Sequence, residues 1–214
     1  MLKVGLTGGV SCGKSTVGEM FVAKGAHLIK ADDLGHQLMQ PGQSVYHAIV
    51  AAFGEGILNT DRTISRPKLA DAAFPTGRIA ELNAIVHPAV IAAQEAWMDE
   101  FLRTDPSGVA IVEAALLLES GSWRRFDRLI TVVCSFEQKV ERFAKRHSLS
   151  LQAARGEVER RQKVQATDDE KVKISHYVID NAGSLVSTRE QVERIWQELK
   201  DLARVPVVPN PTQK

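Results

Sequence analysis

The chain has 214 residues, 44% of them hydrophobic and 25% charged, which excludes a disordered or fibrous polypeptide and allows one substantial core with a smaller insertion. Its 27 basic and 26 acidic residues leave a formal net charge of +1, so no global field draws it to nucleic acid or a membrane, and any anionic ligand is held locally. The cysteines, Cys12 and Cys134, are too few for a disulfide framework, and no apolar run forms a signal peptide or approaches the ~20 residues of a membrane span; the expectation is a soluble chain in a reducing cytoplasm.

In chain order, residues 2–6 form a short apolar run that stops at glycines, as a buried parallel strand does, and residues 15–22 resume with helical spacing. Similar runs recur at 27–29, 109–112, 129–133 and 177–179, separated by segments long enough for helices. This alternation predicts an α/β fold, a five-stranded parallel sheet flanked by helices. The interval 31–107 is too long for one crossover helix and reads as an inserted helical domain. Its last helix is expected to follow His87 and Pro88, with Val90, Ala93, Trp97 and Phe101 on one apolar face.

Ser135 with Gln138 and Thr167 with Glu170 have the spacing of reciprocal helix caps. The basic stretch between them, with Arg142, Lys145, Arg146, Arg155, Arg160, Arg161 and Lys163, reads either as a solvated helix face or as one turned to a ligand. Ser187 with Glu190 predicts the cap of a final amphipathic helix, and the proline-broken residues 205–214 read as a flexible tail. No apolar stripe is left over, so a monomer is expected.

The strongest motif is Gly8-Gly9-Val10-Ser11-Cys12-Gly13-Lys14-Ser15, which matches G-x-x-x-x-G-K-[ST] between a predicted strand and a predicted helix. Glycines let the backbone turn sharply and approach phosphate oxygens, so successive N–H groups face one anion, and the helix adds the positive end of its dipole. Lys14 is expected to reach the β and γ phosphates, Ser15 to ligate Mg²⁺, and Thr16 to cap or support the turn. Cys12 is either a small buried filler or, at a helix amino terminus, a thiol of lowered pKa. A tight glycine turn without a ligand is the bland alternative. No N-K-x-D guanine-reading element and no L-S-G-G-Q transporter signature is present.

After the second strand, Asp32 is placed where α/β ligands bind; it is a candidate general base for an acceptor hydroxyl, or else a helix cap, as is Asp33. Glu113 ends the third strand, where P-loop enzymes hold a second carboxylate that reaches Mg²⁺ through water; a plain polar strand end is the alternative.

Five blocks carry a family resemblance: T-G-G-V-S-C-G-K-S-T at 7–16, A-D-D-L-G-H-Q-L-M-Q-P-G at 31–42, N-A-I-V-H-P at 83–88, E-A-A-L-L-L-E at 113–119 and V-I-D-N-A-G at 178–183. In this order, over most of the chain, they resemble the signature blocks of dephospho-coenzyme A kinases. The resemblance implies a P-loop kinase fold and transfer of the ATP γ phosphate to the ribose 3′-hydroxyl of dephospho-coenzyme A, the final step of coenzyme A biosynthesis, with Mg²⁺ as cofactor. It implies a nucleotide-binding core at 1–31, 108–136 and 164–204, an acceptor domain at 32–107 and a lid at 137–163. Among site residues it implies Asp32 as base, Lys14, Arg142 and Arg146 at the phosphates, and Gly8 to Thr16 with Asn181 and Gly183 for ATP. Thr7, Asp32, His87, Leu116, Glu119 and Gln162 fall on the acceptor side. The sequence departs from the family's usual residues at Ser11, Cys12, Lys30, His36, Glu113, Ala115 and His176. A nucleoside or nucleotide kinase, or a non-catalytic nucleotide sensor, are the other readings.

Overall fold

A computed structural model describes residues 1–204, so the expected tail at 205–214 lies outside the described residues. The chain divides into two compact units, one made of Met1–Leu28 with the chain from Glu100 onward, the other of Ile29–Asp99. The boundaries fall inside a strand and a helix rather than at 32 and 107.

The first unit is built on a sheet of β1 (Leu2–Gly8), β2 (His27–Lys30), β3 (Val109–Glu113), β4 (Arg128–Val133) and β5 (Tyr177–Asp180), ordered β2-β3-β1-β4-β5. β1 pairs in parallel with β3, Leu6 beside Glu113, and with β4, Gly8 beside Val132. Because its neighbours lie on opposite sides and both faces are covered, β1 is almost wholly buried, which is why it reads as a continuous apolar run. The strand order reverses at the carboxyl end of β1, the place where open α/β sheets bind ligands.

On one face, α1 (Lys14–Val22) and α9 (Leu185–Arg204) bring Val17, Phe21, Val192, Ile195, Trp196 and Leu199 onto Val4, Leu6, Ile111 and Ile130. Phe21 is fully buried, and truncating it to alanine removes ~3–5 kcal/mol. On the other face Leu117, Phe126 and Leu129 close over Gly5. The final helix starts at Leu185, earlier than the Ser187 cap expected: Ser184 Oγ accepts from Ser187 N at 3.2 Å, so the capping serine is three residues upstream.

Both reciprocal caps form, Ser135 with Gln138 at α6 (Phe136–His147) and Thr167 with Glu170 at α8 (Asp168–Ile174). Between them lies α7 (Leu151–Gln162), capped by Ser150, whose Oγ accepts from Ala153 N at 3.2 Å. Val140, Phe143 and Ala144 of α6 pack on Ala154 and Val158 of α7, with Val10 and Phe136 at the edge.

The second unit contains α2 (Ala31–Leu38), α3 (Ser44–Phe53), α4 (Arg66–Ala73) and most of α5 (Ile79–Thr104) around Val45, Tyr46, Ile49, Ile57, Leu58 and Leu69. α5 begins well before His87 and Pro88, which corrects the expected start. Pro88 stands in its interior, where the lost N–H and the ring clash cost ~3 kcal/mol. Leu82, Ile85, Val86 and Ala89 pack against the unit's core on either side of it and offset that cost. Val90, Ala93, Trp97 and Phe101 are only half-buried, and the fully buried residues of α5 are the neighbouring Gln94 and Met98.

Candidate active site

The loop from Gly8 to Lys14 joins β1 to α1 at the strand-order reversal. Gly13, the residue that opens α1, has φ 96° and ψ 23°, and a Cβ there would sit 2.1 Å from Asn181 Nδ2, so both backbone and space demand glycine. Ser11 adopts φ 53°, a left-handed conformation that costs an L residue ~1–2 kcal/mol; a glycine there would adopt it freely. Its Oγ is buried without a hydrogen-bond partner among the described residues.

Lys14 Nζ donates to Gly8 O and to Gly9 O, each at 3.0 Å, which holds the ammonium over the loop's backbone. Ser15 Oγ donates to Glu113 Oε1 at 2.8 Å, while Glu113 Oε2 is buried with no hydrogen-bond partner among the described residues. This hydroxyl and orphaned carboxylate oxygen are the hard oxygen donors a divalent cation prefers. Among the described residues no cluster of three or more His, Cys, Asp or Glu forms a metal site, so a cation here would need phosphate or water oxygens as well.

Two further groups grip the loop from outside. Asn181, buried at the end of β5, donates from Nδ2 to Cys12 O at 2.8 Å and accepts from Thr188 Oγ1 at 2.9 Å. Arg142 donates from one nitrogen to Cys12 O at 3.3 Å and from another to Asn181 O at 2.8 Å. Asn181 thus buttresses the loop backbone, and Gly183 lies exposed just beyond it. Arg146, one helical turn from Arg142, is exposed and has no partner among the described residues.

Cys12 resolves to the buried filler. It is 0% exposed within the core, and burial pushes its thiol pKa up despite the nearby Lys14 and Lys139 ammonium groups. Of the two readings, the thiol of lowered pKa is the one not met, because desolvation outweighs the neighbouring positive charges. Thr16 is exposed and caps nothing, since Gly13 occupies the cap position without a side-chain bond.

Of the residues assigned to the acceptor side, Thr7 is buried with its Oγ1 3.4 Å from Ala115 O, and Leu116 is exposed. Glu119 Oε1 accepts from Ala166 N at 2.6 Å and lies 3.4 Å from Lys171 Nζ. Gln162 lines a cavity of about 230 Å³ with Gly9, Gln165, Ala166, Thr167 and Asp168. Asp32 and His87 belong to the second unit. Asp32 sits exposed in the first turn of α2, whose cap position is Lys30, and its carboxylate neither caps the helix nor bonds to any of the described residues. His87 is half-buried on α5. His36 and Arg66 line a cavity of about 380 Å³ with Met39, Leu69 and Phe74. His176 anchors strand pairing, its Nδ1 accepting from Leu129 N at 3.1 Å, and burial lowers its pKa.

Three charged residues went unnoticed in the sequence. Lys139 is 2% exposed with Nζ 2.5 Å from Asp168 Oδ2, and Lys171 is fully buried with its pKa pushed down by desolvation. The signal for Lys139 was present: it falls within the apolar stripe Phe136, Val140, Phe143 of α6, where a charge is out of place.

A family model described as dephospho-CoA kinase matches residues 2–187. Dephospho-CoA kinases of Aquifex aeolicus and Geobacter metallireducens are each 40% identical over 200 residues, covering 93% and 92% of this chain and 98% and 96% of theirs. A protein of solved structure from Thermus thermophilus is 28% identical with a TM-score of 0.76 over 92% of this chain and 97% of that one. A shikimate kinase from Bacteroides thetaiotaomicron, 12% identical with a TM-score of 0.54 over 93% and 98% of the two chains, shares the fold. With the family model spanning most of the sequence and relatives aligned over nearly their full length, the chain belongs to the dephospho-CoA kinase family.

Proposed function

We propose that this chain transfers the γ phosphate of ATP to the ribose 3′-hydroxyl of dephospho-coenzyme A, giving coenzyme A and ADP in the cytoplasm. The observation that carries the reading is the loop itself. A lysine ammonium is held over glycine carbonyls, and a serine hydroxyl rests on a half-satisfied buried carboxylate, at the end of a central parallel strand. When a triphosphate enters, Lys14 exchanges two backbone carbonyls for phosphate oxygens, and the free N–H groups of the loop and of α1 face the same anion. Ser15 and Glu113 would hold Mg²⁺, which supplies charge neutralisation at the β and γ phosphates.

Arg142, tied to the loop through Cys12 O and to Asn181 O beyond β5, and Arg146, without a partner among the described residues, are the cations for the charge that develops on the transferring group. Asp32, whose carboxylate has no partner among the described residues, takes the hydroxyl proton as the acceptor oxygen bonds to phosphorus and the bond to the ADP oxygen breaks. The second unit supplies acceptor binding. Its cavity joins the cation Arg66 and the imidazole of His36 to apolar Leu69 and Phe74, a lining that suits a ligand with a diphosphate and a less polar arm. The segment 137–163 acts as the lid that excludes water.

The test is a coupled assay offering MgATP with dephospho-coenzyme A, nucleosides and nucleoside monophosphates to the full chain. Turnover is expected with dephospho-coenzyme A at the highest kcat/KM. Preference for a nucleoside or its monophosphate would reassign the acceptor, and nucleotide uptake without any phosphorylated product would make the chain a sensor.

A further inference from the structure

The charges that the proposed reaction leaves unused meet at Gly9. Its φ lies outside the left-handed region, so its backbone angles do not call for glycine. Space does, because a Cβ at Gly9 would lie 2.9 Å from Lys139 Nζ, 3.2 Å from Lys139 Cε and 3.1 Å from Asp168 Oδ1. Lys139 Nζ is bound to Asp168 Oδ2 at 2.5 Å, with the lysine 2% and the aspartate 30% exposed. On its carbonyl side the same residue accepts from Lys14 Nζ, so Gly9 lies between two ammonium groups. The next residue, Val10, packs on the cluster that joins α6 to α7. A buried ammonium is costly where the neighbouring positions of α6 are apolar, and the Asp168 carboxylate beside it offsets that cost.

We propose that Lys139 and Asp168 act as a positioning pair for the nucleotide site. Asp168, in the first turn of α8, holds the Lys139 ammonium against Gly9, and the pair fixes the loop between the two ends of the segment that carries α7. Neither residue needs to touch the nucleotide; they set the backbone that does. The proposal deepens the nucleotide-site reading above and rests on it for its kinetic consequence, though not for the loop anchoring itself.

The experiment uses the full chain with Asp168→Asn, Lys139→Gln and both together. Each single change is expected to raise the KM for MgATP by ~10-fold, with kcat and the acceptor KM within ~3-fold, and the double variant to match the worse single because the two act as a unit. A second readout needs no activity. Alkylation of buried Cys12 by N-ethylmaleimide, followed at that peptide by mass spectrometry well below the melting temperature, should quicken ~10-fold once the loop is unpinned. A fall in melting temperature with unchanged MgATP KM and unchanged Cys12 alkylation makes the pair a packing element and overturns the proposal. So do single effects that multiply in the double variant. Absence of phosphoryl transfer in the parent chain would sink the proposed function alone, leaving the alkylation result to decide the anchor.

Discussion

Glu119→Gln tests whether the buried charges beneath the loop are coupled as their distances imply. Lys171 Nζ is fully buried, 3.4 Å from Glu119 Oε1, and makes no hydrogen bond among the described residues. Removing one partner of a buried pair costs ~3–5 kcal/mol, because the other charge stays desolvated and uncompensated. Three features of the site pull this toward ~2–3 kcal/mol: the contact is long, Glu119 retains 20% exposure, and glutamine still offers an oxygen to Ala166 N. For a chain of this size that is a fall of ~5–10 °C in melting temperature. The pH dependence gives the sharper check. Burial pushes the folded-state pKa of Lys171 below its ordinary value and Glu119 pulls it back up. Between the folded and unfolded pKa values the unfolded chain binds the extra proton, so stability rises with pH across that window. Without Glu119 the folded pKa falls further and the rise begins nearer neutrality. Urea unfolding at about pH 7 and about pH 9.5 should therefore show a deficit that shrinks at the higher pH. An equal deficit at both, or none at either, would refute the coupling.

Gly13→Ala meets both a left-handed φ and Asn181 Nδ2 at 2.1 Å, so MgATP affinity should fall by more than ~10-fold, with the melting temperature reduced. Adding Asn181→Ala relieves only the clash; full recovery of affinity in calorimetry would show that φ is not constraining. Lys14→Ala should reduce phosphoryl transfer by ~10³ or more in a product assay. Asp32→Asn should leave the MgATP Kd unchanged and lower kcat by ~10²–10⁴, and normal turnover would remove Asp32 as the base.

The sheet was legible because its strands are buried on both faces, so Val4, Leu6, Ile111 and Val132 leave an uninterrupted apolar trace at regular intervals. The loop was legible because phosphate binding needs small residues and one lysine at fixed spacing. Helix ends were legible only where two side chains answer each other. The paired caps at Ser135 and Thr167 were read correctly, whereas the single-serine caps at Ser150 and Ser184 left too weak a local pattern. Pro88 misled for a related reason: its local preference is to start a helix, and tertiary packing of α5 overrode it.

What the sequence hid is how the loop is held. Cys12 O is gripped by Asn181 and Arg142, residues 169 and 130 positions away, and no local pattern reports such a contact. Counting basic residues along 136–163 treats Lys139 and Lys145 alike, yet one is sealed on Asp168 and the other faces water. That difference matters for the site. A solvated lysine is screened and lends little to a phosphate ~10 Å away, whereas a buried one acts through a low-dielectric interior and requires its own counter-ion. Lys139 already has Asp168 beside it and Lys171 has Glu119, which leaves Lys14, together with Arg142 on Cys12 O, as the cationic groups that an incoming triphosphate meets at the loop backbone. A net charge of +1 therefore says nothing about the strength of this site, which depends on which ammonium groups already have a carboxylate.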